Sequence, residues 1–255
     1  MSLCNDGVMT GARYDADVAS VASLIGDPSR GTMLLALTEA DSLSLSELAR
    51  LAGVSLPTAS EHVRRLEEAG LLRSARQGRA RFISLAGPDV ATALESLAAI
   101  APPSPVRSLR QSIAASKLAV ARTCYDHLAG RFGVALLAEM VRRRALIVSE
   151  PLLYEVTRGG ERLLGDLGVD VNAMRAGRRA LARACTDWTE RKPHLGGAVG
   201  AAICGATRDR GWAISRDRVV HLTEAGRDGF RSWLGPRSLV ASILDEMVAG
   251  TRRQR

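Results

Sequence analysis

Residues 43–72 read LSLSELARLAGVSLPTASEHVRRLEEAGLL, and this stretch predicts two short helices joined by a tight turn. Ser44 and Glu47 have the Ser-x-x-Glu spacing of a capping box, in which each residue satisfies a free backbone N–H at a helix start. We therefore expect the first helix to begin at Ser44, with Leu48 and Leu51 on its buried face.

The second helix of this stretch has its own start and stop signals. Gly53 ends the first helix, and Gly70 ends the second. Ser55 is a favoured N-cap residue, and Pro57 fits a first helical turn. The apolar stripe of this helix comprises Ala59, Val63 and Leu66. Two helices separated by a short turn that contains glycine have helix-turn-helix geometry.

When that stripe faces inward, a row of polar side chains faces outward. The outer face then carries Pro57, Thr58, Ser60, Glu61, Arg64 and Arg65, with His62 at its edge. Hydroxyl, carboxylate and guanidinium groups are the ones that contact DNA bases and phosphates. Any exposed helix face is polar, so this face alone is weak evidence for DNA binding.

A basic hairpin is predicted directly after the second helix. Residues 71–86 (LLRSARQGRARFISLA) alternate around Gln77-Gly78, as hairpin strands do. Six arginines accompany two glutamates between Arg64 and Arg81, a local net charge of +4. This charge would lie where a phosphate backbone passes, although an arginine-rich hairpin is more often simply solvated.

The order of these features is more specific than any one of them. In GDPSRGTMLLAL (26–37), Asp27 and Pro28 begin a further helix, with Met33, Leu34 and Leu37 on one face. Together with residues 43–72 and the hairpin RSARQGRARFISL (73–85), this order resembles the ArsR family of winged-helix transcriptional repressors. The resemblance covers about residues 15–100.

The resemblance implies a partner and a set of contacts. A homodimer would form through the first helix (Ala16–Ile25) and the helix after the wing (Pro88–Ile100). It would bind an inverted repeat in double-stranded operator DNA, one recognition helix per half-site. The implied DNA-binding residues are Ser55, Pro57, Thr58, Ser60, Glu61, His62, Arg64, Arg65, Arg76, Arg79 and Arg81.

The known metal sites of that family have no counterpart here. Metal-sensing relatives carry a cysteine pair on the first helix of the motif, or His and Asp on the dimer helix. The corresponding residues, 44–49 (SLSELA) and 89–95 (DVATALE), contain neither Cys nor His. A thiolate or imidazole site cannot be built from them, so any metal or redox sensing must occur elsewhere.

Composition places the chain among ordinary globular proteins. Its 255 residues, 46% hydrophobic and 24% charged, favour two modest domains. Aromatic residues at 4% make a stacking platform for single-stranded nucleic acid unlikely. No apolar run approaches the ~20 residues of a membrane span, and the start lacks a signal-peptide pattern, so we expect a cytoplasmic protein. The four scattered cysteines fit a reducing compartment.

The chain divides into four predicted regions. They are a flexible tail (1–14), the winged-helix domain (15–101), a duplicated domain (106–235), and a C-terminal helix with a basic tail (236–255). The clustered prolines of APPSP (101–105) mark the linker. Residues 1–100 carry a net charge of −3 and residues 101–255 a net charge of +11, so total charge does not locate the DNA-binding domain.

The C-terminal domain contains an internal repeat. Residues 124–136 (CYDHLAGRFGVAL) share Cys-x-Asp and His-Leu-small-Gly with residues 185–188 (CTDW) and 194–203 (HLGGAVGAAI). Residues 153–168 and 220–235 share a strand, Thr-x-x-Gly, a helix and a glycine. Two copies of one helix-hairpin-helix unit explain both parallels, and the predicted fold is mostly α with small β-hairpins.

The repeat predicts a candidate site between its copies. We expect Gly130, Gly133, Gly197 and Gly200 to permit close helix packing, with Cys124 and His127 on one helix face. Two Cys and two His form a ligand set for tetrahedral zinc. The candidate effector or metal residues are Cys124, Tyr125, Asp126, His127, Cys185, Asp187, Trp188 and His194.

Several roles for these residues stay open from the sequence. They could be purely structural, since small buried Cys and His are common in tight interfaces. They could form a small-molecule pocket lined by Trp188, Tyr125 and the paired histidines, or a metal site, or a Cys124–Cys185 thiol switch. The corresponding hypothesis is a homodimeric repressor that responds to an unknown effector, with a metal- or redox-sensing regulator as the alternative.

An enzymatic C-terminal domain is the alternative of another class. Cys124, Asp126 and His127 form a conceivable nucleophile set, but three residues within one helical turn rarely have the geometry for catalysis. The sequence also lacks the phosphate-loop, nucleophile-elbow and His-Glu-x-x-His motifs. We therefore expect no enzymatic activity.

Overall fold

The computed structural model describes residues 16–40, 42–78, 80–102, 109–177, 179–216 and 218–252. The expected tail (1–14), Arg79, most of the proline linker and the last three residues of the basic tail lie outside them. The N-terminal elements are α1 (Val18–Ile25), α2 (Pro28–Glu39), β1 (Leu43–Ser44), α3 (Leu45–Ala52), α4 (Leu56–Glu68), β2 (Leu72–Gln77), β3 (Ala80–Leu85) and α5 (Pro88–Ile100).

These elements form a winged helix-turn-helix domain. The three strands make an antiparallel sheet in the order β1-β3-β2, and β2 and β3 are the hairpin that the sequence predicts. Its core contains the predicted stripes of α2 and α4 together with Leu48. Leu51 was expected to be buried with Leu48 but is 44% exposed, because the core contacts only one side of the short α3.

The helix starts follow the local sequence. Asp27 accepts a hydrogen bond from the backbone N–H of Arg30 at the start of α2. Ser44 and Glu47 form the full capping box at the start of α3. Gly53 ends α3 in the left-handed conformation, with φ of 67°, which glycine adopts without steric cost. The turn between α3 and α4 is therefore fixed by local interactions.

The C-terminal domain consists of two repeats with flanking helices. Helix α6 (Leu109–Val120) precedes the first repeat, which comprises β4 (Arg122–Cys124), β5 (His127–Ala129), α7 (Gly130–Arg142), β6 (Leu146–Glu150), β7 (Leu153–Val156) and α8 (Arg158–Asp166). Helix α9 (Val171–Arg175) leads to the second repeat, which comprises β8 (Arg183–Thr186), β9 (Pro193–Gly196), α10 (Gly197–Asp209), β10 (Ala213–Arg216), β11 (Val219–Leu222) and α11 (Glu224–Leu234). Helix α12 (Ala241–Arg252) follows.

The predicted helix-hairpin-helix unit is incomplete, because each repeat begins with an additional hairpin. Cys124 and His127 were expected on one helix face, but they lie opposite each other on β4 and β5. Strands of three residues are too short to show an alternating pattern. The turn between them contains Tyr125 with φ of 54°, a conformation that non-glycine residues seldom adopt.

The two repeats exchange hairpins. One sheet has the order β10-β11-β4-β5 and the other β6-β7-β8-β9, so each combines the first hairpin of one repeat with the second hairpin of the other. The joining pairs are Val219 with Arg122 and Leu153 with Arg183. Neither repeat completes a sheet alone, and a single hydrophobic core spans both.

The repeated glycines have a different role from the predicted helix-helix contact. A Cβ atom on Gly133 would lie 2.3 Å from the carbonyl oxygen of Leu128, and one on Gly200 would lie 2.4 Å from that of Leu195. These glycines let each helix begin directly against the end of its own strand. The same Cβ positions lie 3.4 and 3.2 Å from the Cβ atoms of His194 and His127 in the other repeat. Close packing between the copies therefore involves a helix and a strand.

Across the described residues, every helix is too short or too polar to cross a membrane.

Candidate functional site

Helix α4 presents the polar face that the sequence predicts. Ser55 caps the helix by accepting from the backbone N–H of Thr58, and its hydroxyl lies 2.8 Å from that of Thr58. Pro57, Thr58, Arg64 and Arg65 are exposed, while Ser60, Glu61 and His62 are half-buried. The inward stripe is completely buried, so the domain core fixes the orientation of the outer face.

Both arginines on this face are paired with Glu61. Arg64 donates two hydrogen bonds of 2.8 Å to the Glu61 carboxylate, and Arg65 donates one of 2.8 Å. Arg64 also pairs with Glu68. These arginine hydrogen bonds lower the pKa of Glu61 to about 2, so its carboxylate is charged at neutral pH. Without DNA, Glu61 therefore partly neutralises the charges of Arg64 and Arg65.

The remaining predicted DNA contacts differ in their surroundings. Arg76 is exposed on the wing. Arg81 donates to Glu67 at 2.6 Å and to Ser74 at 2.8 Å, so it links the wing to α4. Nδ1 of His62 is buried and has no hydrogen-bond partner among the described residues. Arg79 lies outside the described residues.

A second candidate site lies where the first hairpins of the two repeats meet. We call Cys124, His127, Cys185 and His194 the cysteine–histidine cluster. Cys185 and His194 are cross-strand partners on β8 and β9, as Cys124 and His127 are on β4 and β5. The two Sγ atoms are 3.8 Å apart, and the imidazole ring centres are 5.3 Å apart. The structure thus brings together the four residues that the sequence analysis offered as a candidate site, and their role stays a prediction.

The cluster is closed to solvent and poorly hydrogen-bonded. All four residues are at most 3% exposed. Nδ1 of His127 and both ring nitrogens of His194 lack partners at hydrogen-bonding geometry within the described chain. Ligand atoms of Cys124, His127 and His194 lie within 4.8 Å of one another, as they would around a metal ion. These three residues are therefore the candidates for holding a metal, and Cys185, which lies outside that group, is a further candidate only through its 3.8 Å Sγ–Sγ distance to Cys124.

Burial and mutual contact shift the pKa values in the cluster. Burial lowers the pKa of His127 well below its usual value, so this imidazole is neutral. The hydrogen bond between the two thiols lowers the pKa of Cys185, whereas it raises that of Cys124. Cys124 therefore keeps its proton more firmly than Cys185 does, and Cys185 is the stronger candidate for a thiolate.

The two predicted aspartates lie beside the cluster. Asp126 is 3.7 Å from Nε2 of His127, and Asp187 is 3.6 Å from Nδ1 of His194. Asp126 also forms a two-point ion pair with Arg179. Asp187 is completely buried and pairs with the equally buried Arg122 at 2.9 Å.

Asp187 and Trp188 have structural contacts of their own. Burial alone raises the pKa of Asp187, but Arg122 and hydrogen bonds from Thr189, Glu190 and Gly130 lower it to about 2. The Arg122 guanidinium lies 4.8 Å from the ring centre of Trp188. Trp188 therefore covers the buried ion pair.

The predicted small-molecule pocket between the histidines is not where the structure places a cavity. A cavity of about 650 Å³ lies between the two domains, lined by α2, the β4–β5 turn, α10 and β10. Tyr125 and Asp126 line it, but Trp188, His127 and His194 do not. The histidines are instead enclosed in the core, with their ring centres 5.3 Å apart.

An ion pair that the sequence analysis missed joins this region to the winged helix. Glu95 on α5 and Arg218 in the β10–β11 turn are 2.5 Å apart and at most 4% exposed. Arg218 also donates to the carbonyl oxygen of Thr123, next to Cys124. The sequence pattern of the repeats does not single out Arg218. In the structure its φ is 65°, a conformation that non-glycine residues seldom adopt. Glu95 is detectable only as a charged residue on the buried side of α5.

A winged helix-turn-helix with two exposed arginines on its second helix and an arginine-rich wing defines a class of DNA-binding transcriptional regulators. Residues 25–75 match a family model described as "Helix-turn-helix domain". The chain is 37% identical over 220 residues to the uncharacterized HTH-type transcriptional regulator YdfF of Bacillus subtilis, covering 86% of this chain and 97% of YdfF. It belongs to this family of HTH-type transcriptional regulators.

Solved structures match the N-terminal third. The transcriptional repressor BigR from Xylella fastidiosa is 25% identical, with a TM-score of 0.32, over 34% of this chain and 88% of BigR. The homodimeric winged helix-turn-helix fragment Mb0332 from Mycobacterium bovis, titled a possible ArsR-family regulator, is 28% identical with a TM-score of 0.30. That match covers 31% of this chain and 73% of the fragment.

Proposed function

We propose that this regulator is a cytoplasmic homodimeric repressor of the ArsR type that binds an inverted-repeat operator. The observation that carries the proposal is the orientation of α4. Its apolar stripe is buried in the domain core, and Thr58, Arg64 and Arg65 face solvent beside a basic wing. A helix held in this way can enter a major groove while the wing contacts adjacent phosphates.

The proposed dimer is supported by apolar surface on two helices. Every residue of α1 is at least partly exposed, although its sequence is VASVASLI, and Val18 is 69% exposed. On α5, Leu97 and Ile100 are 44% and 80% exposed. Apolar helices gain stability when a partner covers them, so a second copy of α1 and α5 would supply the missing contacts.

The proposed effector acts through the C-terminal domain. Release from DNA requires that the effector bind more tightly to the dimer geometry that does not fit the operator. The buried pair between Glu95 and Arg218 supports such a link, because it joins the C-terminal domain to α5, the proposed dimer helix. A change near Arg218 can thus alter the spacing of the two recognition helices.

We further propose that this domain acts by binding rather than by catalysis. Cys124 and His127 are the candidate nucleophile and base, and they are only 1% and 2% exposed. A substrate has no open path to them in this arrangement, whereas an enzyme needs its reacting groups within reach of the substrate.

Replacement of Arg64 tests the proposed function. DNA fragments selected by the wild-type protein from a random pool would be titrated at several salt concentrations. Arg64→Ala should weaken binding and reduce the slope of log K against log[salt] by about 1, because one phosphate contact is lost. Arg158→Ala, an exposed position on α8, is the matched control and should bind like wild type. Equal affinities and slopes for both variants would contradict the proposed role of α4.

A further inference from the structure

We propose that the cysteine–histidine cluster binds one divalent transition-metal ion of the Zn(II) type, and that this ion is the effector. The second half of the proposal rests on the proposed function, whereas metal binding itself does not. The four side chains come from four strands in two different sheets, and the packing of β5 against β9 brings them together.

The sulfur positions suit a tetrahedral ion. Tetrahedral zinc has Zn–S bonds of about 2.3 Å, which place two thiolate sulfurs roughly 3.8 Å apart. The Sγ atoms of Cys124 and Cys185 are 3.8 Å apart. A disulfide bond would require these atoms to approach to about 2 Å. The separation between the two sulfurs therefore fits a shared ion.

The unpartnered imidazole nitrogens supply the remaining ligands. Nδ1 of His127 and Nε2 of His194 are both buried without partners in the described part of the chain. An unsatisfied buried polar group costs about 1–3 kcal/mol, so such atoms need an explanation. A metal ion in the cluster would satisfy both nitrogens at once.

The aspartates lie on the other side of each ring. Asp126 is near Nε2 of His127, and Asp187 is near Nδ1 of His194. Histidines that bind metals commonly present their second ring nitrogen to a carboxylate, which fixes the ring orientation. In both repeats the carboxylate comes from the same position in the sequence, two residues after the cysteine, and lies 3.6–3.7 Å from a ring nitrogen, which is Nε2 of His127 in the first repeat and Nδ1 of His194 in the second.

Charge also matches a divalent ion. Two thiolates and two neutral imidazoles carry a charge of −2, which a divalent cation cancels. Cancellation is required here because the four residues are at most 3% exposed, and a net charge buried in this way is costly. On binding, thiol protons pass to solvent and coordinate bonds from both sulfurs to the ion replace the S–H bonds, with no change of oxidation state.

The route from the cluster to the DNA-binding domain is short. Arg218 donates to the carbonyl oxygen of Thr123, the neighbour of Cys124, at 3.2 Å and pairs with Glu95 on α5 at 2.5 Å. An ion that pulls β4 toward β8 therefore acts on α5, the proposed dimer helix, through the side chain of Arg218.

Metal binding is tested on the full chain, purified with a thiol-free reductant, chelator-treated and titrated with Co(II) and then Zn(II). We expect one Co(II) per chain, with the visible bands of a tetrahedral ion and a thiolate-to-cobalt charge-transfer band, both abolished by Zn(II). Zn(II) should also protect Cys124 and Cys185 of the wild-type protein from alkylation, as mapped by mass spectrometry. This second measurement needs no variant and is therefore independent of folding defects.

Variants identify the ligands. Cys185→Ser and His127→Gln should each weaken Co(II) binding by about 100-fold or more, since even indirect contacts to a metal contribute 10–100-fold. Cys204→Ser and His221→Gln, outside the cluster, are the matched controls and should bind Co(II) like wild type. A reduced wild-type chain that binds neither ion and shows no protection would overturn the proposal. Formation of a Cys124–Cys185 disulfide in that same metal-free chain would identify a thiol switch instead.

DNA titration of the chelator-treated protein, with and without Zn(II), separates the two halves of the proposal. We expect Zn(II) to weaken binding to the selected fragments by about 5- to 150-fold, the usual range of allosteric coupling. Because such coupling is reciprocal, bound DNA must weaken Zn(II) binding by the same factor. Unchanged DNA affinity with Zn(II) bound would overturn the effector role. Failure of the metal-free chain to bind any DNA would contradict the proposed function, while the metal titration would still decide the site.

Discussion

At the residue scale, Glu61 controls the charge of the recognition helix. Its carboxylate accepts hydrogen bonds from both Arg64 and Arg65, the two side chains with the greatest reach toward DNA. The sequence predicted Glu61 as a direct base contact, and that role stays a prediction. The structure adds a competing one, because Glu61 partly neutralises the two arginines that a phosphate would contact.

Neutralising Glu61 should strengthen general DNA binding. In Glu61→Gln the arginines keep their positive charge but lose an anionic partner, so we expect higher affinity for random DNA. The slope of log K against log[salt] should become steeper by about 1. Fluorescence anisotropy at several salt concentrations measures both. Glu155→Gln, an exposed position on β7, is the control. Weaker binding to random DNA by Glu61→Gln would show that Glu61 does not hold the arginines back.

At the scale of single elements, the two glycines Gly160 and Gly165 of α8 differ in whether the surrounding structure has room for a side chain. A Cβ atom on Gly160 would lie 2.1 Å from the carbonyl oxygen of Ala145, whereas one on Gly165 would contact nothing within 4 Å. Gly226 repeats the first case, with the carbonyl oxygen of Trp212 at 1.9 Å from its Cβ position. Both Gly160 and Gly226 follow a threonine cap by three residues.

Alanine at these two positions of α8 should have opposite effects. Gly160→Ala forces the helix away from the preceding strand and should lower the free energy of unfolding by about 3 kcal/mol. Gly165→Ala, in the same helix, should raise it by about 0.5–1 kcal/mol, because alanine loses less conformational entropy in a helix. Urea unfolding followed by circular dichroism compares them. Equal stabilities would show that the close contact at Gly160 relaxes without cost.

At the scale of the whole molecule, the Glu95–Arg218 pair joins the two domains. Both side chains are nearly inaccessible to solvent, so breaking the pair leaves an uncompensated buried charge. The pair connects α5, whose buried Ala91 and Leu94 belong to the core of the winged helix, with a turn of the duplicated domain. It therefore influences how the domains are held together as well as overall stability.

A double-variant comparison separates those two effects. Arg218→Met alone should lower the free energy of unfolding by about 3–5 kcal/mol, whereas Glu95→Leu with Arg218→Met should recover most of that loss. The double variant should still bind selected DNA but lose the response to Zn(II). Arg227→Ala, which breaks a pair with the exposed Asp228, should change stability by less than about 1 kcal/mol. A double variant with the full wild-type response would exclude this pair as the connection.

The sequence by itself determined the winged helix, because capping residues, left-handed glycines and a 3.6-residue apolar stripe act between neighbours in the chain. Ser44 with Glu47, Gly53, and the stripe from Ala59 to Leu66 lie where that local chemistry placed them. The sequence also revealed the duplication, since both copies keep the same Cys-x-Asp and Thr-x-x-Gly spacings.

Only the tertiary structure decided how the copies combine. The exchange of hairpins depends on pairings between residues far apart, such as Val219 with Arg122, and no local pattern encodes them. The packing of the two resulting sheets then places His127 against His194 and Cys124 against Cys185, on two facing hairpins rather than on the predicted helix face. Strands of three residues carry too few side chains to show their period, so the sequence analysis assigned Cys124 and His127 to a helix face rather than to facing strands.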